Sequence, residues 1–152
     1  MLEKIIKIIL IVAWMGLIFM FSNDTAVESS KKSDGFIIKT VQVVLGRKLE
    51  DKEKEQYIKY LVVPVRKLAH ALVYLVLGIL VSSLLGVDDK KKVLYAVLFT
   101  FLYASFDEIH QAFVPGRSCE VRDVLIDTLG AFIGCFNYYI IKRRKSWIRK
   151  KI

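Results

Sequence analysis

The chain has 152 residues, 55% of them hydrophobic, with a mean hydropathy of +0.43 and a formal net charge of +9. The length fits one small domain, and the apolar content is too high for an ordinary soluble one. The basic residues flank apolar segments, so they read as membrane orientation and argue against nucleic acid as a partner.

Ile5 to Phe21 is the first apolar segment, interrupted only by Lys7. A signal peptide begins in the same way, but no small-x-small cleavage site follows Phe21. The segment is therefore expected to remain as a first spanning helix over residues 5–22, ending at Phe21-Ser22-Asn23-Asp24.

The one long polar connection covers residues 23–65. Phe36, Ile37, Thr40, Val41, Val44 and Leu45 recur in it with helical spacing. A second patch, Glu50 to Val63, is charged first and apolar later. Pro64 should end it, because proline lacks an N–H and restricts the residue before it. One or two short amphipathic helices are expected here, on the membrane surface or capping the bundle.

Residues 68–87 form the second predicted span, entered by Arg66 and Lys67. A turn ending in Lys90-Lys91-Lys92 leads to the third. Its apolar core, Val93 to Phe106, rises only about 21 Å, short of the roughly 30 Å hydrocarbon layer. The helix is therefore expected to cover residues 93–114, carrying Asp107, Glu108, His110 and Gln111, and to stop near Pro115-Gly116. The fourth span covers residues 121–141 and precedes a basic tail with Lys142, Arg143, Arg144, Lys145, Arg149, Lys150 and Lys151. The expected fold is all-α, a single four-span membrane domain. The short basic Lys90–Lys92 turn and the tail fall on one side, which places both termini in the cytoplasm. The long connection is itself basic, but length weakens its vote.

Ionisable groups at membrane depth cost about 2.5–3.5 kcal/mol each on insertion scales, so their spacing is informative. Asp107, His110 and Gln111 share one helix face, and Glu108 is offset from them. Arg66, His70 and Tyr74 recur every four residues, as do Asp123 and Asp127, with Gly130 and Gly134 continuing that line. Alternate spans run in opposite directions, so all three stripes fall in the outer leaflet. They bring both histidines of the chain to one level with carboxylates and with Arg66, Arg117 and Arg122.

Such a cluster could simply hold helices together. It also has the parts of a reactive site. Neighbouring carboxylates in a low dielectric divide into an acid and a base, and a histidine beside one can move protons. His70, Asp107, Glu108, His110 and Asp123 are the catalytic candidates. Arg66, Arg117 and Arg122 suit an anion, with Tyr74, Gln111 and Asp127 completing the binding set. An aspartyl dyad of Asp107 with Asp127 is a weaker alternative. The two histidines and the acids could also bind a divalent metal, although no His-Glu-x-x-His or comparable spacing is present, so the cofactor stays open; Ser118 and Cys119 have no base at fixed spacing. Cys119 and Cys135 support neither a disulfide framework nor a zinc site. Gly130-x-x-x-Gly134 reads as a close helix contact, Lys67 as an interfacial anchor, and Tyr74 as either a belt aromatic or a site residue.

Phe21-Ser22, R-K-L-A-H-A-L-V-Y-L-V-L-G (Arg66 to Gly78), D-E-I-H-Q-A-F-V-P-G-R (Asp107 to Arg117) and D-V-L-I-D-T-L-G-A-F-I-G (Asp123 to Gly134) together resemble the VanZ-like family across all four spans. Val73 stands where family members often carry glutamate, and Asp127 where many carry asparagine. The resemblance implies a bacterial envelope context, since the founding member is associated with teicoplanin resistance in a glycopeptide-resistance cluster. The expected function is recognition or modification of an envelope component, an anionic lipid or a lipid-linked cell-wall precursor, at an outward-facing site. The alternative is a non-enzymatic protein that binds a lipoglycopeptide or lipid, or modulates a membrane partner.

Overall fold

A computed structural model describes residues 1–149. It is all-helical, with no strand among the described residues. Five helices follow in order: α1 (Leu2–Ser22), α2 (Ala26–Leu45), α3 (Asp51–Leu85), α4 (Lys90–Gln111) and α5 (Val121–Arg149). Of the basic tail, Lys150 and Lys151 lie outside the described residues. Four of the helices, all but α2, are long and apolar enough to cross a membrane. The protein is a multi-pass membrane protein.

Two expectations about the connections change. The second amphipathic patch is not a separate short helix, because α3 runs unbroken through Pro64. At about 1.5 Å per residue its 35 residues extend for roughly 52 Å, far more than one crossing needs. Proline forfeits one backbone hydrogen bond, to the carbonyl of Tyr60. Both Tyr60 and Pro64 are exposed, so that carbonyl is not stranded in the interior. The first half of α3 folds back along α2, with Arg66 Nη2 donating to Ser30 Oγ at 3.0 Å. The polar connection is thus a helical hairpin built onto the second span. A capping box starts α2: the Thr25 side chain accepts from Glu28 N–H, and the Glu28 carboxylate accepts from Thr25 N–H.

The third span gains its length at the opposite end from the one expected. Asp89 caps α4 by accepting from Lys92 N–H at 2.9 Å, so Lys90, Lys91 and Lys92 are its first turn. The helix closes at Gln111, and the Pro115-Gly116 turn follows, Gly116 taking a φ of 77° that a side chain would resist.

The helices meet most closely where α3 crosses α5. A Cβ on Gly130 would stand 2.2 Å from the Ala71 carbonyl oxygen, one on Gly134 2.1 Å from that of Leu75, and one on Gly78 2.4 Å from that of Ala131. Helix association inside a bilayer relies on such backbone approach, since lipid is as apolar as leucine. Two polar ties hold α1 in place: Trp14 Nε1 donates to Val73 O at 3.0 Å, and Tyr103 Oη to Met15 O at 2.7 Å. Tyr74, Leu77, Ala96, Ala104, Ala131 and Cys135 are fully buried between them. At the opposite end from the polar cluster, Lys142 Nζ donates to the Gly86 carbonyl at 2.7 Å and covers an open carbonyl at the end of α3.

Candidate functional site

The antiparallel packing brings the ends of α1 and α4, the start of α5 and the middle of α3 to one end of the bundle. The polar stripes do converge there, but their side chains divide into distinct groups.

The innermost group surrounds Asp107. Its Oδ2 accepts from Ser22 Oγ at 2.8 Å and from Gln111 Nε2 at 3.0 Å. Gln111 Oε1 in turn accepts from Arg117 Nη1 at 2.8 Å. Asp107, Gln111 and Ser22 are buried, and this chain ties α1, α4 and the following turn together. The second oxygen, Asp107 Oδ1, has no partner.

A second group shapes the α4–α5 turn. Glu108, also buried, accepts from the Glu120 backbone N–H at 2.9 Å. It therefore holds the chain just ahead of α5. Lys67 is ion-paired with Asp123 and lies 3.7 Å from Glu120. The expected anchor thus clamps α3 to α5, and Asp123 is engaged rather than available. His110 stacks on Phe19 with ring centroids 4.4 Å apart, and its Nε2 lies 2.9 Å from Asn23 Oδ1. It fastens the end of α4 to the end of α1. Arg122 is exposed, away from these groups.

The third group lines a cavity of about 460 Å³ between α1, α2 and α3. Arg66, His70 and Tyr74 enter it from α3, Ser29, Lys32 and Ser33 from α2, and Arg117 from the turn after α4. Ile18, Phe21, Phe36, Ala69 and Val73 form its apolar part. Ligand pockets in general are this large, mostly apolar, with a few convergent polar groups. Lys32 is ion-paired with Asp24, which also lines the cavity. Burial and the neighbouring Arg66 push the Arg117 guanidinium below its ordinary pKa. Arg66 Nε is buried without a hydrogen-bond partner. The cavity thus holds three cations against one carboxylate, with at least one donor unmet.

Behind the cavity wall, His70 Nδ1 lies 3.9 Å from Asp127 Oδ2. Asp127 is fully buried, and neither of its carboxylate oxygens has a hydrogen-bond partner. The Gly130 contact with Ala71 sits just beyond it along α5, which is why α5 can bring Asp127 this near α3. Tyr74 is wholly buried, its hydroxyl also unpartnered, so it is not a belt aromatic. Among the described residues, no group of three or more His, Cys, Asp or Glu side chains is arranged to hold a metal ion.

Of the eleven candidates, Arg66, His70, Tyr74 and Arg117 face the cavity. Asp127 stands directly behind His70, while Asp107 and Gln111 support the wall through Ser22 and Arg117. Lys32, Asp24 and Ser33 were not among the candidates. Their signal was present as Ser29, Lys32, Ser33 and Phe36, which share one face of α2.

The VanZ/LLP1 family model matches residues 7–142. The chain belongs to the VanZ/LLP1 family. No match was found among curated proteins or among solved structures. The match spans all four crossing helices and the α2 hairpin, so this VanZ/LLP1 protein carries both walls of its cavity within the family region.

Proposed function

We propose that this VanZ-family protein holds the anionic headgroup of an envelope lipid, or of a lipid-linked cell-wall precursor, in the cavity between α1, α2 and α3. The observation that carries the reading is the pair of guanidiniums, Arg66 and Arg117, converging in a cavity whose remaining surface is largely apolar. An amphipath satisfies both parts at once: its phosphate or carboxylate takes the guanidinium donors, and its chain lies against Ile18, Phe36 and Val73. The positive charge at the far end of the bundle, Lys90–Lys92 and Lys142–Lys145, supports an orientation with that end in the cytoplasm. The cavity then opens at the outer face of the cell membrane, where cell-wall precursors are consumed. The family's association with teicoplanin and glycopeptide resistance fits a protein that acts on this layer.

The test is binding. Purified protein is presented with phosphatidic acid, phosphatidylglycerol and phosphatidylcholine in nanodiscs, and retained lipid is read by native mass spectrometry. Charged hydrogen bonds contribute about 1.5–3 kcal/mol, so Arg66→Gln with Arg117→Gln should lower retention of the anionic lipids by roughly tenfold or more. Equal retention of all three lipids, or no effect of the double substitution, sinks the reading.

A non-enzymatic reading is favoured by a separate feature. Val43, Val44 and Leu45 are exposed at the far end of α2. They offer an apolar surface to a lipoglycopeptide or a membrane partner, with the cavity serving only to bind lipid.

A further inference from the structure

Two polar side chains of the cavity have a sequestered carboxylate behind them: Ser22, which hydrogen-bonds Asp107, and His70, which faces Asp127. A carboxylate buried like that of Asp127 is costly unless a hydrogen-bonding or cationic group meets it. The group that faces it, at 3.9 Å, is the His70 imidazole. That separation exceeds a direct hydrogen bond, and such contacts commonly tighten when substrate binds. With Nδ1 turned toward Asp127, the opposite nitrogen Nε2 is left for the cavity that Arg66 and Arg117 also enter. One turn along α3, Tyr74 lines the same cavity, and its hydroxyl is buried and without a partner. His110, by contrast, is committed to Asn23 and Phe19.

These are the components of phosphoryl transfer: guanidiniums for the phosphoryl oxygens, an imidazole nucleophile facing a buried carboxylate, and a proton donor for the leaving oxygen. We infer that the cavity is the active site of a lipid phosphohydrolase, with His70 as nucleophile, Tyr74 as proton donor and Asp127 as the residue that positions His70. The inference rests on the reading of the cavity as a lipid-headgroup site. In the first step the Nε2 lone pair forms an N–P bond. The P–O bond to the lipid breaks, its electron pair stays on the lipid oxygen, and that oxygen takes the Tyr74 proton. Asp127 accepts the Nδ1–H of the phospho-imidazolium. Water then attacks phosphorus, the N–P electron pair returns to Nε2, and a proton from that water restores Tyr74. One phosphomonoester and one water become a lipid alcohol and inorganic phosphate.

The experiment uses full-length protein in nanodiscs with ³²P-labelled phosphatidic acid and, separately, a ³²P-labelled polyprenyl phosphate. Lipid retention, phosphate release and acid-labile protein label are followed together. The wild type should release phosphate from at least one lipid and carry the label, and peptide mapping should place it on His70, a result that needs no variant. His70→Gln should retain lipid and release phosphate about a hundredfold more slowly, the order of a lost acid–base or nucleophilic group. Asp127→Asn should lower kcat while KM stays within about twofold, as expected for a group that acts only through His70. Retention without phosphate release by the wild type overturns the hydrolase and leaves the headgroup site standing. Absence of retention overturns both. Release without protein label overturns the covalent step, and release that persists in His70→Gln overturns the assignment of His70.

Discussion

The contact between α3 and α5 makes the sharpest demand on the packing, and Gly130→Ala tests it with a single methyl group. The Cβ would be built 2.2 Å from the Ala71 carbonyl oxygen, where real Cβ contacts stay above 3.0 Å. The two backbones must therefore separate by about 0.8 Å at this point. Neither neighbour is a flexible side chain that can step aside, because both contacting groups are backbone. Overpacking of this kind costs about 1–3 kcal/mol. Gly134→Ala, at 2.1 Å from Leu75 O, should cost at least as much. Gly16 in α1 and Gly35 in α2 are internal controls, since a Cβ there meets nothing within 4 Å. Alanine at those helical positions should be neutral or stabilise by about 0.5–1 kcal/mol. The assay is equilibrium unfolding of all four variants in mixed micelles against increasing denaturing detergent, followed by tryptophan fluorescence. If Gly130→Ala unfolds with the same midpoint as Gly35→Ala, the close crossing of α3 and α5 is wrong, and with it the placement of Asp127 behind His70.

Other outcomes follow from single contacts. Cys119 is exposed in the turn beside the polar cluster and Cys135 is buried, so a membrane-impermeant maleimide should label Cys119 in intact cells. Labelling that appears only after permeabilisation would reverse the proposed orientation. Tyr103→Phe removes the tie to Met15 O, and Trp14→Phe the tie to Val73 O. Each should cost about 0.5–1.5 kcal/mol in the same unfolding assay, and the pair should add if the two ties are independent. Lys67→Met breaks a pair that is only partly buried, so a loss of no more than about 1 kcal/mol is expected from thermal unfolding. A larger loss would mean that the clamp between α3 and α5 carries more of the fold than its exposure suggests. Pro64→Ala restores the missing backbone donor and should raise the midpoint. An unchanged midpoint would mean that water already satisfies the Tyr60 carbonyl.

The four spans were legible because hydropathy is a local property that a bilayer reads directly. The helix–helix contact at Gly130 and Gly134 was legible for a similar reason: small residues four apart make a flat stripe whatever else the chain does. The polar stripes on three spans were visible as i, i+4 spacing, and antiparallel connectivity put them at one end. Pro64 is the place where a local rule was overruled. Proline disfavours helix on either side, yet α3 continues, because α2 folds back along it and the freed carbonyl lies at an exposed position.

Hydropathy and residue spacing establish which segments are helical enough and apolar enough to cross, and at which level their polar residues sit. Neither fixes the rotation of each helix about its own axis. His70 and His110 are both polar residues near one end of a span, and nothing in their neighbours distinguishes their roles. Packing turned His110 onto Phe19 and Asn23 and turned His70 between Asp127 and an open cavity. The azimuth of a helix is set by partners far away in sequence, by the Gly130 crossing, the Trp14 tie and the return of α2. That is why the level of the polar cluster is legible in the chain, whereas the grouping of its side chains depends on contacts between segments far apart in sequence.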